Sequence, residues 1–212
     1  MAEPFETFTS RVIALPAENV DTDQIVPARY LKVTDKAGLA EALFRDWRFE
    51  EDGSLREPRF VLDQPAMAGR RILLAGDNFG AGSSREAAVW GMLANNIRVI
   101  VARSFADIYR ENCLQNGLLP IVLAMPEAAA FEQRVVAVNG AAPFTVDLES
   151  QRITGPAGTD IAFDLPAADR MRLLEGLDDI GLTLKHADEI VNWERRIAAD
   201  QPWLQTAADS RS

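Results

Sequence analysis

Three short apolar runs, separated by stretches with helical patterning, constrain the fold of this 212-residue chain more than any other feature. The runs span residues 72–75, 97–102 and 119–123, and their composition is that of strands covered on both faces. Helical patterns over residues 83–95 and 105–116 connect them. Because alternating strands and helices pair in parallel through right-handed crossovers, the sequence predicts an α/β fold with a mostly parallel sheet.

The flanking segments predict further elements of the same unit. No internal repeat or low-complexity linker interrupts them, so a single domain over residues 1–212 is predicted, with its core at about 5–203 and a disordered tail at 204–212. Strands are expected at residues 11–15, 144–148, 151–154 and 160–164, and helices at 38–44, 126–138, 166–176 and 185–199.

The connection from the first apolar run to its helix is rich in glycine. It has the sequence Gly-Asp-Asn-Phe-Gly-Ala-Gly-Ser-Ser-Arg-Glu over residues 76–86. Glycine permits positive φ and close approach of backbone amides to a bound group. The first turn of a helix adds unpaired N–H groups and the positive end of the dipole. The stretch therefore predicts an anion site, with Ser83, Ser84 and Arg85 beside the anion.

The same residues bear on three other interpretations of this loop. It is not a P-loop, because no Gly-Lys-Ser/Thr closes it. It is a poor dinucleotide fingerprint, since Arg85 replaces the last glycine and no acidic residue ends the next strand. Ser83 and Glu86 have the spacing of a capping box, so a purely structural turn stays open.

Four blocks of sequence, in order, resemble the swivelling domain of the aconitase superfamily. They are residues 19–31, 80–88, 103–112 together with 117–120, and 178–184, and the last resembles the branch of bacterial 3-isopropylmalate dehydratase small subunits. The resemblance runs from about residue 5 to about residue 203. It implies a β/β/α-type single domain with a mixed, mostly parallel sheet flanked by helices, as in the aconitase C-terminal domain.

The resemblance also implies roles for the glycine loop. Ser83, when ionised, is the implied catalytic base, which takes a proton from a carbon next to a carboxylate. Arg85 is the implied clamp on a substrate carboxylate, and Ser84 donates a hydrogen bond to the same group. Gly80 and Gly82 support the active-site face by leaving backbone amides accessible to the serine oxygen.

The upstream block supplies further candidates. Arg29 matches the block that carries a second substrate contact in relatives, and Asp23 is placed at the active-site face, orienting a group from a partner. Val26, Tyr30 and Leu31 either form an apolar pocket for a branched alkyl group or simply pack the loop, and both interpretations stay open.

Composition limits what the chain can hold alone. Its single cysteine, Cys113, and single histidine, His186, are too few to bind a [4Fe–4S] cluster, the Lewis acid that the resemblance implies. No cofactor is therefore expected in this chain, and the cluster is expected in a large subunit with which it forms a heterodimer. The implied reaction is the isomerisation of 2-isopropylmalate to 3-isopropylmalate by dehydration and rehydration in leucine biosynthesis.

Three alternatives remain at this point. One is the small subunit of a related hydro-lyase acting on methylmalate or citraconate, dimethylmalate or homoaconitate. Another is a non-catalytic anion-binding module, and a third is a nucleotide-binding oxidoreductase domain. A net charge of −10 argues against nucleic acid or an anionic membrane as partner. One cysteine, no visible signal peptide and no apolar run near about 20 residues favour a cytoplasmic protein.

Overall fold

The computed structural model describes residues 3–33, 35–138 and 141–204, over which the chain forms eight strands, nine α-helices and five short 3-10 helices. The strands are β1 (Phe8–Ser10), β2 (Val12–Leu15), β3 (Ile72–Ala75), β4 (Val99–Ala102), β5 (Leu119–Val122), β6 (Phe144–Asp147), β7 (Arg152–Gly155) and β8 (Thr159–Ala162). The helices are α1 (Thr22–Ile25), α2 (Lys36–Ala42), α3 (Arg45–Arg48), α4 (Glu86–Ala94), α5 (Asp107–Gln115), α6 (Met125–Ala137), α7 (Ala167–Glu175), α8 (Asp179–Leu184) and α9 (Ala187–Asp200).

Strands β2, β3, β4 and β5 form a parallel sheet in sequence order. One row of the register joins Ile13, Leu73, Ile100 and Pro120 across all four strands. The three apolar runs predicted as buried strands are β3, β4 and β5, so that prediction is confirmed. Because consecutive strands are neighbours, the segments that follow β2, β3 and β4 emerge side by side at one edge of the sheet.

The other strands form a separate antiparallel sheet in the order β1-β6-β7-β8. Successive residues of β3 face opposite sides, as the period of a strand requires. Leu73 joins the apolar cluster with Met92 of α4, whereas Ile72 joins the cluster with Phe131 of α6 and Phe144 of β6. The ring centroids of those two phenylalanines lie 5.2 Å apart. The α/β, β/β/α-type class is confirmed, and its parallel and antiparallel pairings occupy two sheets.

Four elements have no counterpart in the prediction: β1, α1, α3 and α8. Helix α1 is a single turn within the predicted loop over residues 16–34. The Asp21 side chain accepts from the backbone N of Gln24, and Gln24 accepts from the backbone N of Asp21, which completes a capping box. Helix α8 is a short helix containing Gly181, whose backbone N donates to Asp178 at 2.7 Å. Such short elements depend on a cap and on neighbours more than on periodicity.

We propose that the chain forms a single domain, because the parallel sheet contributes residues to both apolar clusters. Residues 205–212, which make up nearly all of the predicted tail, lie outside the described part of the chain. Among the described residues, no helix is both long and apolar enough to cross a membrane.

Candidate active site at the carboxyl ends of the parallel strands

The glycine loop after β3 is joined on one side to the segment that follows β2. The backbone N of Gly80 donates to the Val20 carbonyl at 2.8 Å, and the backbone N of Thr22 donates to the Ala81 carbonyl at 2.9 Å. The Thr22 hydroxyl donates to the Ser83 carbonyl, also at 2.9 Å. These hydrogen bonds fix the backbone around Ser83 against the segment that follows β2.

On the other side, the same loop is joined to the segment that follows β4. The backbone N of Phe79 donates to the Ser104 carbonyl at 3.1 Å, and the backbone N of Ala106 donates to the Phe79 carbonyl at 3.0 Å. Ala106 is the residue immediately before α5. The loop therefore lies between two neighbours at the edge where open α/β sheets bind ligands.

Gly80 is required for this arrangement. Its φ is +80°, and a Cβ at this position would lie 2.1 Å from Cγ of the buried Tyr109 ring. Gly82 also has a positive φ, +89°, but its nearest neighbour would be the Thr22 hydroxyl oxygen at 3.6 Å. The positive φ favours glycine at both positions. Only at Gly80 is there also no space for a side chain.

Gly80→Ala is expected to lower the free energy of unfolding by about 3 kcal/mol or more. A left-handed alanine costs about 1–2 kcal/mol, and overpacking against a buried ring adds about 1–3 kcal/mol. Gly82→Ala is the matched control, and it should show only the backbone cost. Urea denaturation of both variants measures the difference. Equal losses for the two variants would mean that the contact with Tyr109 does not determine the conformation of the loop.

The glycine loop and α5 line a pocket of about 220 Å³ that is open to solvent. Ser83 and Ser84 are exposed, whereas the side chain of Arg85 is only 13% exposed. The pocket is lined by Thr22, Gly80, Gly82, Ser83, Ser84, Arg85, Ala106, Asp107, Ile108 and Tyr109. The structure thus brings together the two serines, the arginine and the two glycines that the sequence selected.

Ser83 does not cap the following helix. Helix α4 begins at Glu86 rather than at residue 83, and the N-cap position is Arg85, with φ −143° and ψ 104°. The capping box of Ser83 and Glu86 is therefore not formed. Within the described part of the chain, the Ser83 hydroxyl has no hydrogen-bond partner, so its oxygen remains available to a ligand.

The first turn of α5 is a component of the pocket that the sequence reasoning missed. Asp107, Ile108 and Tyr109 are the first three residues of this helix, so their backbone N–H groups have no acceptor within it. They bring a second positive dipole end to the pocket. The helix itself was predicted at residues 105–116, but its position required knowing that the segments after β3 and β4 are neighbours.

Arg85 is held by Asp23, a residue of α1. The two guanidinium nitrogens Nη1 and Nη2 donate to the two carboxylate oxygens, with Nη2 to Oδ2 at 2.7 Å. The backbone N of Ala28 donates to the same carboxylate at 3.1 Å. The hydrogen bond from Arg85 holds the pKa of Asp23 below its ordinary value, so the pair is ionised at neutral pH and is lost only as the pH falls through that lowered pKa. In this structure the group that Asp23 holds is the guanidinium of Arg85, which belongs to this chain and not to a partner.

Arg29 lies elsewhere. Both of its terminal nitrogens donate to Asp46, its guanidinium lies 5.0 Å from the ring centroid of Tyr30, and the hydrogen bonds to Asp46 raise its pKa. It lines a separate pocket of about 510 Å³, so the structure does not place it beside Ser83. Among the residues considered for an alkyl pocket, Val26 is fully buried in the core and Leu31 is 44% exposed.

Comparison with known proteins decides the family. The model of the aconitase C-terminal domain matches residues 2–126. The chain is 49% identical over 202 residues to the 3-isopropylmalate dehydratase small subunit of Rhodospirillum centenum, covering 95% of this chain and 98% of the relative. The chain belongs to the 3-isopropylmalate dehydratase small-subunit family. A relative with the same name from Rhizobium meliloti is 46% identical over 95% of this chain and 99% of its own length.

Two further models of this small-subunit family match separate segments. LeuD_N matches residues 133–167, and the model of the C-terminal domain of the 3-isopropylmalate dehydratase small subunit matches residues 179–207. The crystal structure of a 3-isopropylmalate dehydratase from Methanocaldococcus jannaschii superposes with a TM-score of 0.62 at 24% identity, covering 90% of this chain and 99% of that chain. That likeness supports the fold.

The donor groups of this chain do not suit an iron–sulfur cluster. Cys113 is fully buried in α5, and burial raises the pKa of its thiol, which opposes the thiolate that a cluster needs. His186 is exposed just before α9 and faces Glu189. Within residues 3–33, 35–138 and 141–204, no group of three or more histidine, cysteine, aspartate or glutamate side chains is arranged to hold a metal ion.

Proposed function

We propose that this chain contributes the catalytic base and a carboxylate clamp to a 3-isopropylmalate dehydratase, which interconverts 2-isopropylmalate and 3-isopropylmalate in leucine biosynthesis. The observation that carries the proposal is the Ser83 hydroxyl, which is free of a capping role and exposed in a pocket with Arg85 and the first turn of α5. Membership in the small-subunit family supports the reaction, and the shared pocket is consistent with the proposed roles of the residues.

The reaction requires a proton to leave a carbon next to a carboxylate while the neighbouring carbon loses its hydroxyl group. Water then adds to the resulting double bond with the positions of H and OH exchanged. In our proposal the Ser83 oxygen accepts the proton. A serine hydroxyl is too weak an acid to ionise unaided at neutral pH, so its anion needs fixed donors. The first three residues of α5 and Arg85 line the same pocket, and in our proposal the first-turn amides and the guanidinium are those donors.

Arg85 binds a substrate carboxylate in this proposal. A guanidinium has five N–H groups, and Asp23 uses one on each terminal nitrogen. The remaining N–H groups can face a ligand while Asp23 keeps the guanidinium plane in place. Ser84, exposed in the same pocket, donates to the same carboxylate. The Asp23 pair thus serves to position the clamp, and a bound dicarboxylate competes with it only if it approaches the same edge.

Arg29 remains our proposed second substrate contact, with Tyr30 and Leu31 beside it. Both Arg29 and Asp46 are more than half exposed, so their ion pair can exchange for a substrate carboxylate at low energetic cost. This role requires the substrate, or the complete enzyme, to connect the pocket of Arg29 with the pocket of Ser83.

The leaving hydroxyl group needs an acid that the described donors of this chain do not supply. We propose that a large subunit holds the [4Fe–4S] cluster as that Lewis acid and forms a heterodimer with this chain in the cytoplasm. The term "small subunit" in the names of the relatives supports the existence of such a partner.

The substrate is tested by assaying this chain with its purified large subunit. We expect the highest kcat/KM with 2-isopropylmalate and 3-isopropylmalate, lower values with methylmalate, dimethylmalate and homoaconitate, and no turnover by the chain alone. Preference for another substrate in the panel would make it a related hydro-lyase. If the chain binds carboxylates but no substrate of the panel is turned over, with or without the large subunit, the chain is an anion-binding module.

A further inference from the structure

The C-terminal helices expose an unusual amount of apolar surface. Within the described residues, six of the 13 exposed large apolar side chains lie in residues 179–204. The most exposed of them are Trp203 at 74%, Ile180 at 70%, Leu184 at 64% and Trp193 at 53%. None of the residues of α8 and α9 is buried. A concentration of this kind marks an interaction surface more often than chance exposure does.

On α9 the apolar side chains are arranged at helical spacing. Ile190, Trp193 and Ile197 follow one another at intervals of three and four residues, which places them on one face. The charged residues Asp188 and Arg195 lie on the opposite face of the helix. The helix is therefore amphipathic, and tryptophan is among the residues that contribute most to protein–protein binding.

This apolar surface is connected to the mouth of the active-site pocket. A charged groove of about 330 Å³ lies between α5 and α7 and shares Asp107 with that pocket. Arg172, which lines the groove, forms an ion pair with Asp179, the first residue of α8, at 2.6 Å. Ile108, on the rim of the pocket, is 55% exposed. Asp107 and Arg172 thus link the rim of the pocket to the first residue of α8.

We propose that the exposed apolar face of residues 179–204 docks onto the large subunit. The family models support this occupant. The part of the chain with the pocket matches the aconitase C-terminal domain, whereas residues 179–207 match a separate model described as the C-terminal domain of the small subunit. The segment with the exposed apolar face therefore matches a model of its own, which is specific to the small subunit and separate from the model that covers the pocket. The proposal rests on the proposed function for the existence of the large subunit, and it adds the place where the two proteins meet.

The test is a triple variant, Ile180→Ser, Leu184→Ser and Trp193→Ser, titrated against the purified large subunit. The affinity for the large subunit is expected to fall at least tenfold, while kcat at saturating concentration stays within twofold of wild type. The matched control is Val136→Ser on α6, whose side chain is also 64% exposed and whose affinity should not change. Because all three replaced residues are exposed, circular dichroism and the melting temperature should match the wild type.

The outcomes separate this proposal from the proposed function. Wild-type affinity of the triple variant would overturn the docking site, even if the complex turns over 2-isopropylmalate. Binding that depends on Trp193 in a complex without turnover would support the docking site and contradict the proposed function. Sedimentation of the chain alone gives the third outcome: self-association lost in the variant, with unchanged affinity for the large subunit, would assign the face to a second copy and overturn the docking site.

Discussion

Ser83→Ala is expected to lower kcat of the assembled enzyme by about 10³- to 10⁴-fold. The affinity of this chain for its large subunit should stay unchanged. General-base catalysis contributes about 10²- to 10⁴-fold, and a water that replaced the hydroxyl would lack the fixed position of an oxygen attached to the backbone. The fold should tolerate the change, because Ser83 is exposed, does not cap α4, and is held through its carbonyl rather than its hydroxyl. Steady-state kinetics and a binding titration measure the two quantities.

Ser84→Ala is the matched control for this prediction. Its hydroxyl lines the same pocket and is equally small, but it is assigned only a hydrogen bond to the substrate carboxylate. A hydrogen bond to a charged group contributes about 1.5–3 kcal/mol, so kcat/KM should fall about 10- to 100-fold, mainly through KM. The assignment of the base would be wrong if Ser83→Ala retained more than a tenth of wild-type kcat, or if the two alanine variants behaved alike.

Arg85→Lys is expected to lower kcat/KM by about 10²- to 10³-fold. Lysine preserves the positive charge but has neither the planar fork nor the two N–H groups that Asp23 holds in place, so both the substrate contact and its orientation are lost. If the clamp contacts the carboxylate in the ground state as well as in the transition state, most of the change should appear in KM. Initial rates over a range of substrate concentrations separate the two parameters.

The control for the arginine is Arg152→Lys. Arg152 also pairs with an aspartate, Asp160, but this pair joins β7 to β8 in the antiparallel sheet and its residues do not line the active-site pocket. This variant should keep wild-type kcat/KM and the same melting temperature within about 2 °C, because exposed ion pairs contribute little. Unchanged kcat/KM in Arg85→Lys would remove the clamp from the mechanism and leave Arg85 a structural partner of Asp23.

The fold could be predicted where local sequence carries the information. Strands β3, β4 and β5 appear as apolar runs because both of their faces are buried, and α5 ends before Gly117, which has φ +80°. Boundaries and short elements were less accessible. Helix α4 begins at Glu86 because the preceding residues are held in extended and turn conformations by bonds to the segment after β2. Those bonds join residues about 60 positions apart and have no local signal.

The chemical groups of the candidate site were likewise accessible from sequence, and their surroundings were not. Ser83, Ser84 and Arg85 follow three glycines at a strand-to-helix connection, which by itself indicates an anion site. Neither the pairing of Arg85 with Asp23 nor the separate location of Arg29 could be read from spacing. Both depend on how a single-turn helix between β2 and β3 lies against the loop.

The sequence by itself determined the three buried strands, the helices between them and the glycine loop with its serines and arginine, because periodicity and glycine act within a few positions of the chain. Only the tertiary structure decided which groups meet. It brought Asp23 to Arg85 across 62 positions and placed the first turn of α5 in the same pocket as Ser83. The physical reason is that these contacts follow from the side-by-side order of the parallel strands, which brings the ends of distant segments to one edge of the sheet.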